Sequence, residues 1–230
     1  MAGFIKKLFN GITEKTMENL QLDAGVVFKN FDVNKDTYES AKTAGKCLGA
    51  TQGGGTFTAK AAFRQISIDG TIGRVKGATD VTSWDVSFST TVLETTPETL
   101  RLALGAAEIV TASDDKTTIP SGYKLVRGKN HVSDEDYIEN ITWIGNLTGS
   151  DKPIIIQVFN AFNEDGLAYA VADQSEGKVG MTLWGYNSIE EFMEGDIQPP
   201  FAIYYPDTSA AAATTSETGD DAASSEEGTA

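Results

Sequence analysis

Apolar and polar residues alternate with a period of two through the middle of the chain. Trp84, Val86, Phe88, Thr90 and Val92 are interleaved with Asp85, Ser87, Ser89 and Thr91, the pattern of a long half-buried strand. Residues 63–68 (Phe-Arg-Gln-Ile-Ser-Ile) form a second candidate strand, and the segment from Asp69 to Gly77 between them is rich in turn residues. The two predict a long hairpin over residues 63–94 with a substantial loop. Further strands are expected at 25–28, 123–126, 138–147, 154–161, 179–186 and 201–204. Ile154, Ile155 and Ile156 are apolar on both faces, which places that strand centrally in a sheet.

Helical signals are fewer. Thr96 is a capping residue, Pro97 suits the first helical position and Glu98 the positive helix end. Leu100, Ala103, Leu104 and Ala107 follow at helical spacing, with Gly105 as a possible stop. A shorter helix is expected from Ser188, where Ser188 and Glu191 fit a capping box, with Ile189, Phe192 and Met193 as its apolar face. Phe4, Ile5, Leu8, Phe9 and Ile12 also fall on one helical face and read as a docked N-terminal helix or arm. Lys6 and Lys7 interrupt that patch, so it is no secretory signal. The fold class is therefore mainly β: antiparallel strands in a sandwich or barrel-forming subunit, with one flanking helix and a long hairpin.

Composition divides the chain. From Pro206 the sequence is Ala, Thr, Ser and Gly with Asp207, Glu217, Asp220, Asp221, Glu226 and Glu227, and no basic or aromatic residue follows. Such a segment cannot offset its ordering entropy, so a β domain over 1–205 and a disordered acidic tail over 206–230 are expected. The whole chain carries 33 acidic and 18 basic residues, a net charge of −15, and its body stays acidic without the tail. That argues against a nucleic-acid grip and against binding to an anionic membrane.

Chemistry-bearing residues are sparse. One cysteine, Cys47, and one histidine, His131, exclude a disulfide framework and multi-Cys or multi-His metal sites. Cys47 lacks any nucleophile signature, and His131 lies in a polar stretch, 127–131, read as a solvated loop. The glycines at 49, 53, 54 and 55 are followed by no Gly-Lys-Ser/Thr, so they serve backbone geometry rather than a phosphate cradle. Asp134-Glu135-Asp136 and Glu190-Glu191 read as solvated faces, and Trp84, Trp143 and Trp184 as core rather than a sugar platform. The sequons at Asn140 and Asn146 fall in an expected strand and read as chance matches.

An ordered set of segments resembles the tail tube (major tail) proteins of long, non-contractile-tailed bacteriophages. In order these are residues 24–28 (AGVVF), 48–57 (LGATQGGGTF), 64–70 (RQISIDG), 75–77 (VKG), 97–107 (PETLRLALGAA), 136–140 (DYIEN) and 149–153 (GSDKP). The resemblance spans roughly residues 25–185 and leaves out the acidic tail.

It implies a virion structural protein made in the host cytoplasm, without catalytic, cofactor or metal residues. Its subunits would form hexameric rings stacked into a tube through which DNA passes unbound. Tail-tip initiator, tape-measure and terminator proteins would be its other partners. Three physical points agree. Long strand edges become safe when paired around a ring, an acidic wall would let DNA slide, and a structural protein needs no catalytic set. The hairpin is expected to supply strands to the inner barrel, with Arg74 and Lys76 at its tip contacting an adjacent ring or standing in solvent. Three rivals stay open at this point: a sheath-enclosed or secretion-type tube, a β-sandwich decoration protein or adhesin, and an enzyme with dispersed carboxylates.

Overall fold

The computed structural model describes residues 11–111, 119–195 and 197–207. The amphipathic segment at 4–9 and nearly all of the acidic tail lie outside the described residues. In chain order the elements are β1 (Val26–Lys29), α1 (Tyr38–Thr43), β2 (Thr51–Gln65), β3 (Thr79–Val92), α2 (Pro97–Leu104), β4 (Ala107–Val110), β5 (Leu125–Gly128), a 3-10 turn (Asp134–Asp136), β6 (Ile138–Gly145), β7 (Ile154–Asn163), β8 (Ala168–Ala170), β9 (Lys178–Trp184), α3 (Ile189–Glu194) and β10 (Phe201–Tyr204).

Every strand pairing is antiparallel, and the fold is mainly β. The main sheet runs β1-β6-β7-β9-β3-β2, with β10 added to β7 and β8 to β9. Strand β7 is the junction. Its first part lies between β6 and β10, and its last residues, Phe162 and Asn163, cross to pair with Trp184 and Leu183 of β9. The sheet thereby doubles over. Val27, Ile141, Trp143 and Val158 from one half meet Val86, Phe88, Val92, Val179, Met181 and Leu183 from the other in a single core. The continuous apolar run at Ile154–Ile156 fits this position, because β7 has a neighbour on each side.

Helix α2 follows its sequence signals. Thr96 Oγ1 accepts from the Thr99 amide at 3.0 Å, Pro97 opens the helix, and Gly105 ends it at φ +73°. Leu102 and Ala103 join the core. A β-carbon on Gly105 would strike the Asn163 carbonyl, so glycine is required there for close approach as well as for φ. Helix α1 has no apolar stripe to mark it in the sequence. It rests on a capping box between Thr37 and Ser40, and its Ala41 is buried with Phe28 and Phe31.

Several expectations need correction. The hairpin is longer than the apolar alternation indicates: β2 begins at Thr51, and Ile66 and Ile68 belong to the loop instead of the strand. The β2 pairing slips between Thr51 and Gly55, where Gly53 (φ +77°) and Gly54 (φ +70°) take left-handed conformations that other residues avoid. The apolar face of α3 faces solvent rather than the core, with Ile189 73%, Phe192 60% and Met193 82% exposed. Asp136 is buried rather than on a solvated face. Of the two sequons, Asn140 is in β6, but Asn146 lies past its end.

Candidate assembly surface

The hairpin of β2 and β3 dominates the exterior. Core-directed residues alternate along it: Phe57 faces Phe88, Ala59 faces Val86 and Ala61 faces Trp84. Phe201 of β10 closes over them, with ring centroids 5.6 Å from Phe57 and 5.4 Å from Trp84. Past the end of β9 the same side continues as Phe63 and Val81, which are 66% and 49% exposed. The loop beyond adds Ile72, fully exposed, and the half-exposed Ile66 and Ile68. An apolar ridge therefore extends off the body of the subunit.

The opposite side of this half-sheet is polar. Register and alternation place Thr56, Ser89 and Thr182 in one row, and Thr58, Ser87 and Trp184 in the next. Toward the tip come Lys60 opposite Asp85 and Arg64 opposite Asp80. Hydroxyls dominate this face, and its hairpin charges balance. The Trp184 indole N–H on this face is buried without a hydrogen-bond partner.

Strand β2, 15 residues long, is the last strand of its half-sheet, and among the described residues no strand pairs with its outer side. Arg74 and Lys76 lie in the exposed tip loop, and among the described residues neither has an ion-pair partner. They stand apart from the glycine segment 53–55, which is at the other end of the hairpin. There, Gly53–Gly55, Asp165, Gly166 and Thr182 line an open recess of about 420 Å³.

A second recess, of about 380 Å³, lies beside α3 and is lined by Asp134, Tyr137, Asn160, Tyr186, Ile189 and Glu190 among others. Tyr137 and Tyr186, which line it, form an aromatic cluster with Phe162, Tyr137 standing edge-on to Tyr186 at 5.4 Å. The Tyr186 hydroxyl donates to Glu164. Burial first, then the hydrogen bond to that carboxylate, push the phenol well above its ordinary range.

The remaining sequence candidates are dispersed. Cys47 is half-buried and bridges Phe28 at the edge of β1, whereas His131 is exposed between β5 and the 3-10 turn. Trp143 is in the core, its Nε1 donating to the Ala24 carbonyl at 2.9 Å. Asp136 receives Lys129 Nζ at 2.6 Å and the Ser133 amide at 2.8 Å. Burial alone would raise its carboxyl, but these partners outweigh it and hold it below the usual range. A buried carboxylate so occupied has a structural task. The sequence signal for it was Ser133 three residues before Asp136, a capping spacing.

Among the described residues no group of three or more His, Cys, Asp or Glu stands together in a way that could hold a metal ion. No helix among them is long and apolar enough to cross a membrane. Neither a family model nor a curated protein matches the chain.

Proposed function

We propose that this chain is a structural subunit that assembles with copies of itself into stacked rings, the tube of a bacteriophage tail. The observation that carries this reading is β2, a 15-residue strand at the edge of its half-sheet. Natural monomers blunt such edges with short strands, prolines or covering loops. Here the strand is long, has no proline and keeps an exposed outer side. Pairing it with the other edge of a neighbour's half-sheet, at β8, continues the sheet from copy to copy. A head-to-tail contact of this kind closes into a ring when the rotation allows.

The polar face then lines the channel. Its threonine and serine rows, with Lys60 and Arg64 balanced by Asp85 and Asp80, offer DNA no cationic array to replace phosphate counterions. Weak adhesion to DNA follows from hydroxyls and balanced charge on this face, rather than from an acidic wall. The apolar ridge and the cationic tip project past the body and reach toward the next ring.

Negative-stain electron microscopy with light scattering, over a range of protein concentrations, tests the reading. Rings or hollow tubes of uniform width are expected. A particle that stays monomeric at every concentration, and after addition of a tail-tip initiator complex, rejects it and returns the choice to a decoration protein or adhesin.

A further inference from the structure

Helix α3 exposes its apolar residues, although its sequence marks them for burial. Ile189, Phe192 and Met193 are each at least 60% exposed, and Glu190, Glu191 and Glu194 are interspersed among them. The recess lined by Tyr137 and Tyr186 opens beside Ile189 and Glu190 and is roomy enough for a phenyl ring. An apolar, acidic surface with an aromatic-lined recess calls for an apolar, basic ligand. The chain contains one such segment: residues 1–10 carry Phe4, Ile5, Leu8 and Phe9 together with Lys6 and Lys7, and no acid.

The fold fixes where that segment leaves the body. Thr148 and Gly149 hold residues 17–20: the Gly149 amide donates to the Glu18 carbonyl at 2.7 Å, and the Thr148 amide to that of Leu20 at 3.0 Å. This is the end at which β7 begins, at Ile154. Helix α3 belongs to the other end, because the Tyr186 amide bonds the Phe159 carbonyl at 3.1 Å and Asn160 bonds that of Tyr186 at 3.0 Å. The stretch of β7 from Ile154 to Asn160 alone separates the two by about 20 Å at roughly 3.3 Å per residue. In a head-to-tail stack the end that releases the segment faces the end that bears α3, so no tether has to cross the body.

We infer that residues 1–10 of one copy dock on the α3 surface of the next copy along the stack, with Phe4 or Phe9 in the recess and Lys6 and Lys7 against Glu190 and Glu194. This inference rests on the tube reading above. Two full-length chains of different tag mass test it, both carrying Cys47→Ser, one with Leu8→Cys and the other with Met193→Cys. Mild oxidation of the mixed assembly should yield a dimer containing both tags. In parallel, Lys6→Glu/Lys7→Glu should lower the yield of tubes at least tenfold, as should Glu190→Lys/Glu194→Lys. All four changes in one chain should restore it. Tubes that form normally without the mixed dimer overturn the docking and leave the tube reading intact. A disulfide within one chain, in a variant carrying both cysteines, overturns docking between copies. Absence of tubes from the parent chain, even with a tail-tip initiator, overturns both.

Discussion

Asn163 at the end of β7 donates its side-chain amide to the Ala103 carbonyl in the last turn of α2, at 2.6 Å. Both groups are buried. The bond satisfies a helix-terminal carbonyl that has no partner within the helix, and it pins α2 against the strand that joins the two halves of the sheet. Asn163 Oδ1 also accepts from the Asp165 amide at 3.1 Å, which shapes the turn toward β8.

Asn163→Ala should therefore destabilise the protein by about 2 kcal/mol, the cost of leaving a buried carbonyl unsatisfied. Asn163→Leu should cost at least as much, because the added apolar volume meets the same orphaned carbonyl. Urea denaturation followed by tryptophan fluorescence would measure both. A loss below about 0.5 kcal/mol for both variants would show that α2 is held by its apolar contacts alone.

Gly55 makes a separate case. Its φ is ordinary, yet a β-carbon there would overlap the Phe88 ring. Gly55→Ala should force that ring from the core and cost about 1–3 kcal/mol by overpacking. Gly53→Ala should be destabilising through backbone conformation instead, since its φ is +77° and nothing lies within 4 Å of the added carbon. A Phe88→Ala background separates the two causes. It should remove most of the Gly55→Ala penalty and none of the Gly53→Ala penalty, read from urea midpoints in a double-mutant cycle.

The contrast between these glycines illustrates what could be read from the chain itself. The strands of the body were legible where one face is core and the other solvent, as at β3, because burial then writes a period of two into the sequence. Helix α2 was legible from its cap, its proline and its stop. The start of β2 was not, because residues 51–56 contain no large apolar side chain to alternate, and glycine normally argues against a strand. Helix α1 escaped because capping, rather than an apolar stripe, holds it. The acidic run at 134–136 misled, because its charge density reads as a solvated face; the one local mark of the buried member is its capping spacing from Ser133, and its ion-pair partner Lys129 is separated from it by a loop. The α3 face failed for a different reason: apolar spacing states that a face needs cover, and it does not state which molecule supplies it. Arg74 and Lys76 are exposed in the hairpin loop, a placement common to a ring contact and to a solvated tip.

The ion pair of Asp136 makes stability depend on pH. Its folded-state pKa lies below the unfolded value of about 4. The pair's contribution is thus fully present above that value and is lost as pH falls through the lower, folded one. Glu98 acts in the same direction: burial would raise its carboxyl, but Arg101 and Lys29 together lower it. Asp136→Asn should cost about 2 kcal/mol at pH 7. The gap between variant and parent should begin to narrow once the pH drops below the unfolded value of about 4, and keep narrowing as the pH falls toward the lower, folded-state pKa. Urea midpoints at three pH values test this. A gap that is constant with pH would assign the loss to packing and not to charge.

The hairpin tip provides the last prediction. Arg74 and Lys76 are exposed on a loop that projects past the body of an acidic protein, and no carboxylate of their own chain pairs with them among the described residues. Exposed ion pairs contribute only about 0–1 kcal/mol each, so the fold should not register their reversal. A stack of rings would repeat any such contact at every subunit, and small terms would add around each ring. Arg74→Glu/Lys76→Glu should accordingly leave the urea midpoint within about 0.5 kcal/mol of the parent while tube growth stops at single rings or short stacks. Raising the salt concentration should weaken the growth of parent tubes in the same sense, because exposed charges are screened. Normal tubes from the double variant would remove the tip charges from the contact and leave the apolar ridge of Phe63, Ile72 and Val81 as the surface to mutate next.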